Sequence, residues 1–335
     1  MQISVVIPTC NRKARLLSLL HCLDRSSYPL YEVIIVDSGD DRLLPSEYSL
    51  FRNLSIHYLS AERSVCIQRN KGVRAAESPW IFLCDDDIEI GNDYLQSLVD
   101  HLQVFSETGA VSGSWMEKVK GIWSATYPVT SAGALLWKYI FGLGIWGPIH
   151  CRNSNFVIKR LWKYYTKKGN HISGAGWPVN TDLMGEYAEC PVYSLGASLV
   201  KKEWLTGSPF EEVLDRHGIG DNYGVITGFP VPVVQVVRKA VVYHHKEDGN
   251  RLQSPLQYYR RVLALDHFRR IRPSLSHVKK YRLVWSLTGN FLAFSLSGNL
   301  VMCKATLRLM WKITVNNNPY TRAAREGRKV EEPLL

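Results

Sequence analysis

Apolar positions change rhythm along the chain. Ile3–Ile7 is a β-branched apolar run of the kind buried on both faces of a parallel sheet. Asn11–Arg25 then carries Leu16, Leu19, Leu20 and Leu23 at helical spacing. Tyr31–Val36, Leu54–Leu59 and Trp80–Cys84 read as further strands, with helices over Ser64–Ala76 and around the stripe Tyr94, Leu95, Leu98, Val99, Leu102 and Phe105. This alternation predicts an α/β fold, a Rossmann-like and mostly parallel sheet with helices on both faces. Ligands bind such sheets beyond the carboxyl ends of the strands, where Asp37 and Asp85-Asp86-Asp87 fall.

From Ser114 to Cys190 the rhythm is lost in a stretch rich in Trp and Gly, read as an acceptor-side elaboration. Leu195–Val200, Val231–Val237 and Ala240–Tyr243 look like three more strands, and Ser254–Arg272 like a basic amphipathic helix. The predicted organisation is a catalytic unit over 1–250, split into a nucleotide half (1–110) and an acceptor half (111–250). A basic helical extension follows over 251–335.

At 335 residues and 46% apolar content the chain is long and apolar enough for a sizeable core, which excludes disorder. Charge is uneven: residues 238–335 hold 19 Lys/Arg against 6 Asp/Glu, whereas 1–237 hold 22 against 24. A basic third points to a polyanionic surface. No nucleic-acid-binding signature accompanies it, so nucleic acid is not expected as a partner. Seven Cys without a Cys-x-x-Cys pair, and an opening without a secretory signal pattern, favour a reducing, cytoplasmic setting.

Asp85-Asp86-Asp87 is the strongest chemical signal. An arbitrary triple Asp is usually a solvated loop, but here the strand Trp80–Cys84 aims it at the ligand edge. Gathered carboxylates call for a cation, and Mg2+ or Mn2+ suits carboxylate oxygens while leaving positions for phosphates. Asp37 has two readings side by side, a hydrogen-bond acceptor for a ribose or base and an Asx-turn. No Gly-x-Gly-x-x-Gly follows the first strand, which disfavours dinucleotide chemistry.

Val6-Ile7-Pro8-Thr9-Cys10-Asn11-Arg12, Val36-Asp37-Ser38-Gly39, Arg69-Asn70-Lys71-Gly72 and the Asp cluster, in that order, resemble the family-2 nucleotide-sugar glycosyltransferases of the A-type fold. The match is firm over 1–110 and looser to about 250. The resemblance implies a UDP-, dTDP- or GDP-sugar donor, Mg2+ or Mn2+, inversion at the anomeric carbon, and a carbohydrate or glycolipid acceptor in cell-surface polysaccharide assembly. By motif, Pro8, Thr9, Asn11 and Asp37 would line the nucleotide pocket. Arg69 would face the nucleotide or diphosphate, Asp85 and Asp86 the donor, and Asp87 the metal. Gly196-Ala197 resembles the small-residue strand facing the donor sugar. Gly220-Asp221 resembles the segment of the catalytic base with Gly220 in place of a Glu, so Asp221 is the expected base and Glu211, Glu212 and Asp215 are fallbacks. His244 and His245 would complete the metal shell or contact the diphosphate.

Two rival functions stand beside this one, a non-catalytic nucleotide-sugar-binding module and a sugar-1-phosphate nucleotidyltransferase. The second would normally carry a Gly-rich loop that Pro8–Arg12 lacks. Leu283–Met302, twenty residues without a charge, is too polar for a spanning helix. Shallow docking on an anionic inner leaflet and a core helix pair are its two readings.

Overall fold

The computed structural model describes residues 1–119, 121–151, 155–214, 216–245 and 255–330. β1 (Ile3–Thr9), buried throughout, leads into α1 (Lys13–Asp24), which buries its four predicted leucines. β2 (Glu32–Asp37), the short α2 (Pro45–Tyr48), β3 (Ile56–Ser60) and α3 (Val65–Ala75) follow, then β4 (Trp80–Cys84). These four strands pair in parallel, β4-β1-β2-β3, with Thr9 opposite Asp37. The continuous apolar runs thus form a sheet half covered on both faces. α3 lies so close that a Cβ on Gly72 would stand 2.4 Å from a Val6 methyl.

β5 (Ile88–Ile90) and α4 (Tyr94–Val104) come next, then the long β6 (Ala110–Val119) and its partner β7 (Ile122–Ser124). An insertion follows, made of α5 (Ala132–Phe141), β8 (Ile145–Trp146), α6 (Phe156–Lys168), β9 (His171–Ile172) and β10 (Pro178–Asn180). Its strands form a separate sheet, β8-β10-β9, over a small core that includes Leu135, Ile145, Leu161 and Val179. The main sheet resumes with β11 (Tyr187–Cys190) and β12 (Ala197–Lys201). α7 (Lys202–Gly207), α8 (Asp221–Ile226) and β13 (Val234–His244) complete this part. The full order is β11-β13-β6-β12-β4-β1-β2-β3. Parallel pairing dominates the first half, whereas β12 runs antiparallel to both β4 and β6.

Two expectations need correction, and a third segment takes one of its two readings. Val231–Val237 and Ala240–Tyr243 are one strand, β13, whose register slips between Val237 and Val241. The exposed pair Arg238-Lys239 sits at that irregularity, so two charges mark a bulge and not a strand end. The predicted amphipathic helix is α9 (Pro255–Ile271), but Val262–Phe268 is buried at every position because α8 packs on one side and α11 (Leu300–Thr314) on the other. Its Asp266 is fully buried between Arg269 and Arg270. Leu283–Met302, for which a helix pair is one of the two readings, is divided between two helices. α10 (Lys280–Leu296) ends there, Gly298 turns the chain at φ +70°, and α11 begins; α12 (Pro319–Glu326) closes the extension. Among the described residues no helix is long and apolar enough to cross a membrane.

Candidate active site

The carboxyl ends of β1 and β4 open onto a cavity of about 920 Å3, lined on one side by Pro8–Arg12 and Asp85–Asp87. Asp85–Asp87 forms the link between β4 and β5, and β5 hydrogen-bonds to the end of β13 with Ile88 opposite His244. On its other edge β13 pairs with β6, which sets His244 opposite Glu117. Strand register alone therefore carries His244 and Glu117 to the Asp cluster from far along the chain.

Each Asp of the triple has its own setting. Asp85 receives Arg69 at 2.5 Å. Asp86 is buried and accepts from the Thr9 hydroxyl at 2.8 Å and from Arg12 at 2.9 Å. Burial raises its pKa to about 6, against the opposing pull of Arg12. Asp87 takes the same Arg12 nitrogen at 3.1 Å on one oxygen and faces His244 Nε2 at 3.4 Å with the other. His244 Nδ1 lies 3.3 Å from Glu117. Burial alone would lower the His244 pKa, but hydrogen bonds to Asp87 and Glu117 outweigh it and raise it to about 9.

Arg69 bridges the site. α3 points it inward, buried, with one nitrogen on Asp85 and another on Asp221. Its guanidinium lies 5.1 Å from the centre of the Phe210 ring. Burial works against its charge, yet Asp85 and Asp221 more than offset this and hold its pKa above the usual arginine value. The rest of the motif is architectural. Asn70 clasps the backbone of Phe210 with both amide atoms, and Gly72 allows the close helix–sheet contact. Asp221 opens α8, its other oxygen accepting from the Asn222 amide at 2.6 Å. Gly220 before it adopts φ +97°, and a Cβ there would stand 2.7 Å from the Ala264 methyl.

Much of the remaining lining is aromatic. Trp115, Tyr127, Trp146, Trp177 and Tyr193 belong to it, with Trp146 and Tyr193 stacked at 5.7 Å and 17°. Arg261 projects from α9 into the same space.

Pro8, Thr9, Asn11, Arg69, Asp85, Asp86, Asp87, Asp221 and His244 thus share one cavity. Other expected residues stand apart from its lining. Asp37 is buried behind it, accepting from the Gly39 amide at 2.7 Å in an Asx-turn and from the Tyr58 hydroxyl. Ala197 is fully buried, its carbonyl taken by Tyr94 at 2.7 Å. Gly196 backs Asp85: its carbonyl accepts from the Asp85 amide, and any Cβ would collide with that carboxylate. His245 points the other way, to Glu89 at 2.8 Å. Adjacent strand residues face opposite sides, so only one of the two histidines can serve the cavity. Glu211 pairs with His267 and Glu212 with Asn70, both off the cavity, and Asp215 lies outside the described residues. Sequence reasoning missed Glu117 and Arg12. Only the register of β6 against β13 reveals the first, although the second stood inside the Pro8–Arg12 motif.

A divalent cation would find two facing side chains here. Asp87 offers a carboxylate oxygen, and His244 facing it offers a ring nitrogen once it gives up its proton, a set compatible with a cation that completes its shell on phosphate oxygens. Among the described residues no group of three or more His, Cys, Asp or Glu has the geometry to hold a metal by itself.

Residues 4–144 match a family described as Glycosyl transferase family 2. The uncharacterized glycosyltransferase YwdF of Bacillus subtilis (strain 168) is 31% identical over 122 residues, covering 35% of this chain and 45% of that protein. The amylovoran biosynthesis glycosyltransferase AmsB of Erwinia amylovora is 30% identical over 169 residues, 47% of this chain and 55% of that protein. The chain spans about half the length of these curated relatives. Among solved structures, S. aureus TarS 1–349 aligns at TM-score 0.55 and 14% identity, over 98% of this chain and 92% of that one. The mannosyltransferase PcManGT from Pyrobaculum calidifontis, in complex with GDP-Man and Mn2+, aligns at 0.50 and 15%, over 97% and 86%. At such identity the likeness is one of fold, and the fold agrees with the α/β architecture above. Residues 4–144 are thus similar to family-2 glycosyltransferases, and the likeness of fold extends over nearly the whole chain.

Proposed function

We propose that the chain transfers a sugar from a nucleoside-diphosphate sugar to an acceptor hydroxyl with inversion, within a catalytic unit over 1–250 to which 251–335 is a helical extension. The observation that carries this reading is the convergence of Asp85, Asp87, Arg69, His244 and Asp221 on one cavity. Pro8, Thr9 and Asn11 border the space for the nucleotide. Asp37 contributes indirectly, by bracing the turn that presents Ser38 to the cavity. Asp85 suits the ribose, and Arg69 both orients Asp85 and Asp221 and offers charge to the diphosphate.

Mg2+ or Mn2+ would be held by Asp87 and His244, where it supplies stabilisation of charge on the leaving diphosphate. In support, the TarS fold has been captured with UDP-GlcNAc and the PcManGT fold with GDP-Man and Mn2+. Asp221 accepts the proton of the acceptor hydroxyl as its oxygen bonds to the anomeric carbon. The bond from that carbon to the diphosphate oxygen breaks on the opposite face, and the nucleoside diphosphate leaves with the electron pair. Trp146, backed by the buried Tyr193, and Trp177 offer flat apolar faces to an acceptor sugar ring. The relationship to AmsB, an amylovoran biosynthesis enzyme, favours an acceptor in polysaccharide or glycolipid assembly.

A second reading, a nucleotide-sugar-binding module without turnover, rests on Gly220 and on the engagement of Asp221 by Arg69. Hydrolysis of a panel of nucleotide sugars with Mn2+ decides between them. Turnover that falls by about 10²–10⁴ in Asp221→Asn, with donor affinity kept, supports the transferase. Near-normal turnover in that variant moves the base role to another carboxylate, Glu117 in the cavity lining being the one with no donor or metal role proposed above. Donor binding with no turnover in the parent chain supports the module.

A further inference from the structure

Two segments of the chain contain no acidic residue. Between Glu117 and Asp182 there are 9 Lys/Arg and no Asp or Glu, and between Asp266 and Glu326 there are 11 and none. They are far apart in sequence but pack together. The Trp285 indole of α10 donates to the Ile140 carbonyl of α5 at 2.8 Å, and its ring lies 5.0 Å from Phe141. Gly289 of α10 receives that same Phe141 ring, which a Cβ would strike at 2.3 Å.

The joined region is apolar on its outside as well as basic. Tyr281, Trp285, Leu292 and Leu296 follow the outer stripe of α10, opposite the buried Leu283, Ser286 and Leu287. Leu300, Leu307 and Trp311 follow that of α11, with Lys304, Arg308 and Lys312 among them. Tyr139 and Ile140 continue the exposed surface beside Trp285. Apolar exposure peaks at the hairpin tip, where Leu296 is 84% exposed, Leu300 77% and Val301 60%. No charge occurs from Leu283 to Cys303, so the tip is neutral and the cations stand behind it.

We infer that this surface, the α10–α11 hairpin with the end of α5, docks on a lipid bilayer carrying anionic headgroups. Exposed leucines at an uncharged tip suit the acyl boundary, Trp and Tyr suit the interface, and a collar of Lys/Arg with no acid suits anionic phosphates. A nucleic acid would use the cations but gain nothing from the bare Leu296, Leu300 and Val301. Insertion is shallow, since neither helix is long and apolar enough to span. The helix that carries the surface meets the cavity by its inner face: Trp177, in the cavity lining, donates its indole N–H to the buried Ser286 of α10 at 2.8 Å. Docking would therefore leave α10, roughly 10 Å across, between the bilayer and the aromatic lining of the cavity. It does not depend on what the cavity does.

Flotation of the full chain on phosphatidylcholine vesicles, with and without phosphatidylglycerol, tests this. The chain should float with the anionic vesicles and remain behind with neutral ones. Lys304→Gln/Arg308→Gln should lower the partition about 25-fold, roughly fivefold per cation removed. Leu296→Asp/Leu300→Asp should abolish flotation while thermal melts stay at the parent value. If either variant melts early, Leu307→Gln/Trp311→Gln on the same stripe replaces it. Failure of the parent chain to float on anionic vesicles overturns the inference, as does equal flotation on neutral ones. So does undiminished flotation of the two-Asp variant, or binding to a duplex oligonucleotide as tight as to the vesicles.

Discussion

Arg69→Met is the most informative single change, because it separates what holds the site together from what the site does. In the parent chain Arg69 is buried and forks between Asp85 and Asp221, whose side chains are 27% and 10% exposed. Removing one partner from a buried ion pair costs about 3–5 kcal/mol, because the remaining charge has lost its solvent without a counter-ion. Here one orphan, Asp85, can reach water through the cavity, which argues for the lower end. Loss of the contact with Phe210 adds roughly 0.5–1 kcal/mol, and the methionine side chain fills part of the space. The expected destabilisation is about 3 kcal/mol, read from urea unfolding followed by two probes. Arg69→Lys should lose less, but not nothing, since one ammonium cannot copy the planar fork. Adding Asp221→Asn to Arg69→Met removes one carboxylate that has lost its arginine, so the double variant should be more stable than the sum of the singles by about 1–3 kcal/mol. A cost below about 1 kcal/mol for Arg69→Met, the value of an exposed pair, refutes the reasoning. So does strict additivity in the double variant.

Three further outcomes follow from the geometry. Asp87→Ala should reduce donor affinity measured by calorimetry with Mn2+ to the value found in chelator; metal-dependent tightening that survives would remove Asp87 from the cation site. Gly220→Glu, which installs the acid that the resemblance implies at this position, should cost about 3 kcal/mol. A left-handed L-residue costs roughly 1–2 and the contact with Ala264 a similar amount, so a stable and more active variant would contradict the backbone described here. Gly72→Ala should destabilise by about 1–3 kcal/mol through the Val6 methyl, and a neutral melt would show that α3 can back away from the sheet.

The parts of the fold that were legible are those in which local pattern and tertiary burial agree. Trp80–Cys84 was read to the residue, and β1, β2 and α3 to within a residue or two, because buried parallel strands and their helices carry unambiguous apolar runs. The Asp cluster was legible for the same reason, since a strand that ends at the ligand edge delivers whatever follows it. Residues whose placement depends on pairing between distant strands were not. Glu117 reaches His244 only through the parallel register of β6 and β13, and nothing near either residue announces it. The choice between His244 and His245 turns on the parity of β13. A bulge at Arg238-Lys239 resets that parity, so counting from the apolar residues before it gives no safe answer. Asp37 shows the opposite failure. Its position at the tip of β2 was read correctly, but one oxygen closes an Asx-turn and the other takes the Tyr58 hydroxyl. A carboxylate at a strand tip thus has two destinations of similar local chemistry. Which one wins is decided by a tyrosine on the neighbouring strand, at a position that only the β2–β3 register supplies.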